Sequence, residues 1–596
     1  MSRFPDARRG VLVAAMALSS AAGGARAASV KNVEPDSAGP AKLLCASPYG
    51  GKGTEQIVAA GVLPDASIVL AGNANLTSLK KGKGRGFLLR LTVAGGTVQA
   101  DKPVAIRGHI DRMKVSPAGN LCVLVDGAGV YQMRPGRSKP TKSCAVRGIA
   151  DFGVDADGEI VVLHGARMTR YDRSWTRRKW SVTWHAHGGN RPGGMCVCPA
   201  TGVAAVVGYG MTHTGREPWK DPYACGFDRA GKPLWKLWDP DPRKQVGSRH
   251  GGNGLMADTT GHIARAGSAG KVLLSLYADG GNSVCTRDPA DPDQPIDPDV
   301  YAGVYQRGPG HGFKGASSTS VVFRVDAPTG TLEKGTWMCA WLDPGRANYL
   351  RMADLAADET GRIYVVGNSA SACPKRAAWY EYAAGYQGGG FLAVFDPAFG
   401  VVQCGAFQQT SMTCVAAGNG YVVAAGHVKP PDGDSSVHVH KPIQEDLAGG
   451  EADGYFMIFE TGPHRTAAAP AKPKLKPVPQ NVPKRLLAEA VQAAADGKLA
   501  AARAKLRYIL ARHAASDEAA EAKALLAKLE AAAATPKPAE SKERQAARLL
   551  QQAENYLRNR LKPQARVRLE RIVKDFPDTP QAKAAQDLLD EHFLED

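Results

Sequence analysis

The chain has 596 residues, 44% of them hydrophobic, and is too long for one ordinary core, so two or three domains are expected. Its 75 Lys and Arg against 57 Asp and Glu give a formal charge of +18, spread along the chain rather than gathered into one block. Beyond the N-terminus no segment has the about 18–20 uninterrupted apolar residues that span a bilayer, which excludes a transmembrane helix there.

Residues 1–27 carry the marks of a secretory signal: Arg3, Arg8 and Arg9, the apolar stretch Val11 to Ala22, then Ala25-Arg26-Ala27 as a cleavage site. Export to the periplasm or beyond is therefore expected, and nucleic acid is not an expected partner. The basic charge then reads either as affinity for anionic envelope polymers or lipid head groups, or as a solvated surface. The 11 cysteines all lie between Cys45 and Cys414. The number is odd, and the connectivity is not legible; Cys404 and Cys414, flanking a junction between repeats, are the better candidates for a bridge, while Cys196 and Cys198 are spaced against one.

From about residue 40 to 462 two segments alternate. One is a turn and an apolar run ending in Gly, clearest in Val154 to Gly165, Ala257 to Gly270 and Ala357 to Ala370; the other is an apolar run ending in a turn, as in Val321 to Gly330 and Gly390 to Gly400. Short β-prone runs repeated between Gly, Asp and Pro predict an all-β propeller of about seven four-stranded blades. Second strands are placed near Ile68, Leu121, Ile160, Val203, Ile263, Ile363 and Tyr421, with Arg287 to Asp299 as an inserted loop.

In such blades the loops between strands two and three emerge on the same face as the loops between blades. The excess length falls there, at 212–222, 288–317, 375–387 and 430–446, making this the expected binding face. HGGN occurs twice ahead of an innermost strand, as His187 to Asn190 and His250 to Asn253, and neighbouring entries carry His109, Arg112, Asn348 and Arg351. Two readings stand side by side: a ligand ring of His109, Arg112, His187, Asn190, His250, Asn253 and Arg351 at the channel mouth, or Gly-rich corners in which His and Asn cap strand ends. Trp379 and Tyr382, with Tyr380 and Tyr386, offer a stacking platform for a sugar or peptide, against packing of the loop on its own blade. His185 and His187, and His438 and His440, lack a third metal ligand at a telling spacing, and Asp432-Gly433-Asp434 lacks the later glutamate of a calcium loop, so no metal is expected. Trp235 and Trp238 read as core. No Walker loop, CxxCH, HExxH or GxSxG motif occurs, and no cofactor is expected.

Residues 463–483 are rich in Pro, Ala and Lys and read as a semi-rigid linker. Apolar residues at helical spacing follow in two units, 484–530 and 541–594, separated by a second linker at 531–540. Ala502 to Leu526 aligns without gaps to Ala565 to Leu589, with Ser516 and Thr579 as equivalent N-caps and Pro580 at a first helical position.

This tail resembles bacterial tetratricopeptide-type helical repeats of envelope assembly proteins, on the pattern A..L..I...FPDTP.A..A..LL. It departs from the family in its 63-residue repeat spacing and in lacking the usual Trp-Leu-Gly and Tyr positions; a generic Ala-rich helical stalk is the plain alternative. The region from Gln56 to Gly462 resembles secreted bacterial β-propeller repeat proteins of the form D-x-x-G-x-I-Y-V-x-G … G-F-x-x-x-F-D-x-x-G. That resemblance implies a fold, and propellers host enzymes and binding modules alike.

Three functions follow as expectations. The first is an exported, non-catalytic binding or scaffold protein of the cell envelope, meeting envelope proteins through its helical tail and a glycan or peptide on the propeller loops. The second is a propeller hydrolase or lyase on a glycan or small ester, with its site at the channel mouth. A quinone-binding redox propeller is third, disfavoured because the regular Trp-containing blade motif of that family is not repeated.

Overall fold

The repeat period translates into seven antiparallel sheets, six of four strands and one, in blade one, with a fifth where Val104–Ile106 also pairs with Arg85–Ala94; each is too small to bury both faces alone and is therefore packed against its neighbours. The computed structural model describes residues 30–593 except 37–38, 80–82, 138, 185–190, 215–216, 239–258, 279–283, 290–294, 307–318, 343–345, 372, 374–375, 381–387, 431–435, 463–481, 497–498, 513–515, 535–541 and 559–561. The signal-like N-terminus, both HGGN motifs, Tyr382 and the linkers at 463–481 and 535–541 lie outside them.

From the channel outward, blade one is Thr54–Val62, Ile68–Leu76, Arg85–Ala94 and Thr97–Ala100; blade two is Ile110–Val115, Leu121–Val125, Gly129–Met133 and Lys142–Cys144. Blade three is Ile149–Val154, Ile160–His164, Arg167–Tyr171 and Arg178–Thr183; blade four is Arg191–Val197, Ala204–Thr214, Glu217–Phe227 and Pro233–Leu237. Blade five is Thr259–Ala266, Lys271–Ala278, Thr319–Asp326 and Leu332–Met338; blade six is Leu350–Ala357, Ile363–Ser369, Gly389–Phe395 and Val401–Gln408. Blade seven takes Thr410–Gly418, Tyr421–Val428 and Asp453–Glu460 from one end of the propeller sequence and its outermost strand, Lys42–Tyr49, from the other.

That exchange closes the ring. Lys42 pairs with Glu460 and Tyr49 with Gly454. The segment ahead of it is laced to the same region: Val30–Asn32 runs parallel to Val437–Val439, and Ala41 is gripped by Gln403, whose Oε1 accepts from Ala41 N at 2.9 Å while Trp379 Nε1 donates to Ala41 O at 2.6 Å.

Six of the seven second-strand markers fall at or next to the start of the expected strand. Ile263 does not: it lies in the innermost strand of blade five, because Thr259-Thr260-Gly261 is strand rather than the turn its composition suggests, and the second strand begins at Lys271. The stretch around 212–222 also differs. It continues the two strands of blade four into a long hairpin, Ala204–Thr214 paired with Glu217–Phe227, instead of leaving the sheet as a loop. Trp235 and Trp238 are core residues.

The turn and glycine signatures have separate physical causes. In the D-x-x-G turns the aspartate accepts from backbone N–H groups two and four residues on: Asp228 from Ala230 and Lys232, Asp358 from Thr360 and Arg362, Asp396 from Ala398 and Gly400. The glycine that ends the second-strand run answers a close approach. A Cβ on Gly208, Gly367 or Gly426 would overlap the carbonyl oxygen of Arg191, Arg351 or Ser411 in the adjoining innermost strand.

Residues Pro477–Asp596 form a second compact unit, described here by itself. Helices α1 (Val482–Ala495), α2 (Leu499–Arg512) and α3 (Asp517–Ala534) share one apolar cluster; α4 (Lys542–Arg558), α5 (Lys562–Asp575) and α6 (Pro580–Phe593) share another. The internal alignment holds at the level of packing. Ala502 and Ala565, Leu506 and Leu569, Ile509 and Ile572, and Ala522 and Ala585 are buried at equivalent places in the two groups. Ser516 and Thr579 precede α3 and α6 as expected, but their hydroxyls do not cap: Thr579 Oγ1 donates back to Phe576 O at 2.8 Å, and Ser516 Oγ has no hydrogen bond among the described residues.

Gly367→Ala should lower the unfolding free energy by about 1–3 kcal/mol, since the added methyl forces backbone apart at the first-to-second strand contact of blade six. Chemical denaturation reads this directly, and an unchanged midpoint would sink the close-approach account.

Candidate functional site

The innermost strand of every blade contains an irregularity. Pairing with the second strand skips Val58, Asp111, Ala150, Gly193, His262, Ala353 and Thr413 in blades one to seven. A bulge of this kind bends the strand and frees backbone groups beside it. The residues that follow face the channel: Arg112, Asp151 and Asp354 one place on, Lys114, Cys196 and Arg265 three places on. All of these but Asp151 border a cavity of about 1240 Å³ whose wall is otherwise built from small residues such as Gly61, Gly153, Ala356 and Ala416, and which extends to the turns between first and second strands at Pro64, Pro117 and Pro199. It lies toward the tight-turn face, not the loop-rich one.

The channel charges join blades. Lys114 Nζ of blade two lies 2.8 Å from Asp151 Oδ1 of blade three and donates to Phe152 O at 2.6 Å and, in blade four, to Met195 O at 2.9 Å. Asp151 accepts in turn from Met195 N at 2.8 Å. Arg265 of blade five pairs with Asp354 of blade six at 2.6 Å, and Asp354 accepts from Val415 N of blade seven at 3.2 Å. Thr413 Oγ1 of blade seven donates to Ile57 O of blade one at 2.7 Å, and Asn73 of blade one clamps both backbone groups of Ile110 in blade two at 2.7 and 2.8 Å. Burial opposes ionisation of Asp151, yet Lys114, Arg112 and Arg265 together outweigh it and hold the carboxyl at about 2. Burial pulls Lys114 down, against the pull of Asp151.

Of the sequence-predicted ligand residues, Arg112 lines the cavity; its Nε donates to Ala150 O at 3.0 Å. His109 turns aside into blade one, with Nδ1 accepting from Gly84 N at 3.3 Å and Nε2 3.5 Å from Asn73 Nδ2. Arg351 lies over the Tyr277 ring at 5.3 Å. Neither borders the cavity. Trp379 corrects the stacking-platform expectation: it is fully buried, packed against Phe407 and Phe459 at 5.8 and 4.8 Å, because its indole N–H is committed to Ala41 of the closing segment. His187, Asn190, His250, Asn253 and Tyr382 lie outside the described residues. His438 stands edge-on to Tyr380 at 5.0 Å, and His440 is buried with Nδ1 3.8 Å from Glu34.

Lys114, Asp151, Arg265 and Asp354 escaped sequence reasoning, although aligning the innermost strands as RMKV, DFGV, ARA and DLAA would have stacked them. His262 was missed too. It sits at the blade-five bulge with Nε2 2.6 Å from Thr260 Oγ1 and its ring edge-on to Tyr277, and burial, with Arg351 and Lys220, pushes its pKa to about 4.

All eleven cysteines are buried thiols. The thiol of Cys404 makes its hydrogen bond with Cys373, in the loop of its own blade, and not with the sequence-favoured Cys414, which belongs to a different apolar cluster. Beneath the loops at the junction of blades seven and one lie two buried carboxyls, Glu55 and Asp453. Asp453 Oδ2 accepts from Ala448 N at 2.6 Å, and burial, with the neighbouring Glu55 carboxyl adding to it, pushes Asp453 up to about 6.

No family model matches the chain, and no curated protein matches it. Among solved structures, the chain is similar to KlHsv2 with loop 6CD replaced by a Gly-Ser linker, at 7% identity and a TM-score of 0.32 over 65% of this chain and 97% of that one. It is also similar to a chain in a crystal structure of the mitotic checkpoint complex, at 10% identity and a TM-score of 0.36 over 74% and 98%. At these scores neither similarity carries a functional argument; the seven blades are read from the strand pairing itself.

Asp151→Asn should destabilise the protein by about 3–5 kcal/mol by leaving Lys114 without its counter-ion, and adding Lys114→Met should recover part of the loss. Denaturant midpoints of the single and double variants test this, and strictly additive losses would refute it. For Asp453 the folded pKa is the raised one, so its contribution is complete below about pH 4 and is lost as pH rises through about 6. Asp453→Asn should flatten melting temperature across that window and stabilise the protein at pH 7; a variant profile that still falls between pH 4 and 6 would exclude Asp453 as the source.

Proposed function

We propose that this chain is an exported, non-catalytic binding or scaffold protein of the cell envelope. The observation that carries the reading is the asymmetry of the ring: the long connections, 279–318, 370–388 and 429–452, all leave one face, while the opposite face is drawn tight by Asp-anchored turns. A rigid disc with long loops leaving one side is a presentation device. The channel charges support the same reading, since most of them are spent on backbone groups of neighbouring blades and so on holding the disc together.

The helical unit supplies a second recognition surface. Its two three-helix groups repeat the same buried positions, and its FPDTP-type pattern resembles envelope tetratricopeptide-type repeats, which bind extended or helical segments of other proteins. The basic N-terminus followed by an apolar stretch and Ala-Arg-Ala supports export. Protein partners are assigned to the helices, and a glycan or peptide to the propeller loops.

The test is co-purification from detergent-treated envelopes with the full mature chain and with a chain ending at Gly462. A defined partner retained by the first and lost by the second is the expected result. An identical partner set for both would remove the helices from recognition, and recovery of both chains solely in the cytoplasmic fraction would overturn the envelope reading.

A further inference from the structure

The cavity wall carries Arg112, Lys114 and Arg265 against Asp65, Asp354 and Glu359. Arg112, Lys114 and Arg265 face Asp151 and Asp354, and four of these five groups are saturated. Arg265 divides its terminal nitrogens between Asp354 and Ala264 O, while Lys114 donates to two carbonyls as well as facing Asp151. Arg112 differs. Only its Nε is engaged, at Ala150 O; Asp151 Oδ1 stands 3.8 Å away, beyond hydrogen-bond length, and neither Nη donates to a described residue. Its side chain is 37% exposed, and it borders the cavity.

The surroundings favour an anion over water alone. Of the rim carboxylates, Asp65 is paired with Arg90 and Ser67 and Glu359 accepts from Asn419 N, and among the described residues neither forms an ion pair with Arg112. Toward the tight-turn face the innermost strands then end in an apolar collar. Val62, Val115, Val154 and Val197 close blades one to four, whereas Ala266, Ala357 and Ala417 stand in the equivalent places of blades five to seven. The collar is therefore lopsided, with its open side toward blades five to seven. Two guanidinium N–H groups in a fixed plane match an oxyanion bidentately, and an apolar collar with room on one side takes a hydrocarbon body.

We propose that the central channel binds a small organic oxyanion, carboxylate or phosphate ester, with its head on the two Nη atoms of Arg112 and its body against the collar. This site lies toward the face opposite the loops and is independent of the partner-binding reading above.

The test is calorimetric titration of the full chain at constant ionic strength with hexanoate and with hexyl phosphate, hexanol serving as the neutral control. Saturable binding of one or both anions and none of hexanol is expected, and which anion binds sorts carboxylate from phosphate ester. Arg112→Gln should weaken binding by about tenfold to a hundredfold. Because Arg112 also holds Ala150 O, Ala417→Leu provides a variant that fills the open side of the collar without touching the charges, and it should likewise weaken binding at least about tenfold while melting remains cooperative. Failure of both anions to saturate the wild-type chain, or unchanged affinity in a folded Arg112→Gln variant, would overturn the proposal.

Discussion

The sheets of a propeller do not pair with one another. Each blade satisfies its own ladder, so the ring is held by apolar packing between sheets and by whatever polar groups cross each junction. Farther out these include Trp180 on Arg229 O and Trp235 on Ala327 O; beside the channel several come from one recurring device. By dropping a residue out of register, each innermost strand releases an N–H and reorients a side chain at the same height in the ring. Asp151 and Asp354 each follow a bulge and each accept from an N–H two residues past the neighbouring bulge, at Met195 and Val415. Thr413 is itself the bulged residue and reaches Ile57. Between the innermost strands of blades four and five no side chain among the described residues crosses in this way; the contact is made by two glycines, since a Cβ on Gly193 would overlap the carbonyl oxygen of Gly261. The strands there approach backbone to backbone.

Placing ionised groups at such junctions is costly unless each is answered, because burial penalises the charged form of acid and base alike. Lys114 and Asp151 answer each other and draw on backbone groups of blades three and four. The result is a ring whose interior polarity fixes angular position, while the apolar clusters between sheets supply the bulk of cohesion.

Much of the fold was legible in the sequence because turn chemistry and glycine spacing are local. A turn whose Asp or Ser accepts from its own following N–H groups announces itself wherever it stands, as at Asp65, Ser116, Asp155 and Asp358, and six of seven second strands followed from such turns or from the Gly-rich turns of blades four and seven. Blade five misled because Asp258-Thr259-Thr260-Gly261 has the composition of such a turn and lies in or beside a strand, its glycine being required by close packing on Val207 and Gly208 instead. The site was less legible. Arg112 was found through its position ahead of a strand, but Lys114, Asp151, Arg265 and Asp354 lie inside apolar-looking strands, where a one-residue bulge, invisible to periodicity, turns a side chain from the sheet face to the channel. Trp379 failed for the opposite reason: an aromatic in a long loop looks exposed until the closing segment, more than three hundred residues away in sequence, is laid over it.

That closing segment also sets the order of events in folding. Lys42–Tyr49 cannot find its place until Asp453–Glu460 exists, so the outermost ladder of blade seven is among the longest-range pairings in the chain, and its loop-closure entropy is met only after six blades are in place. Until then the nascent disc is an open arc with an unpaired edge at each end, the strand of Lys42–Tyr49 at one and Asp453–Glu460 at the other. Two complementary edges on separate copies can pair as readily as two on the same copy. The latch that completes a single ring is thus also the element through which crowded, half-made chains would link into open chains of arcs, and the bonds of Gln403 and Trp379 to Ala41 favour closure within one molecule.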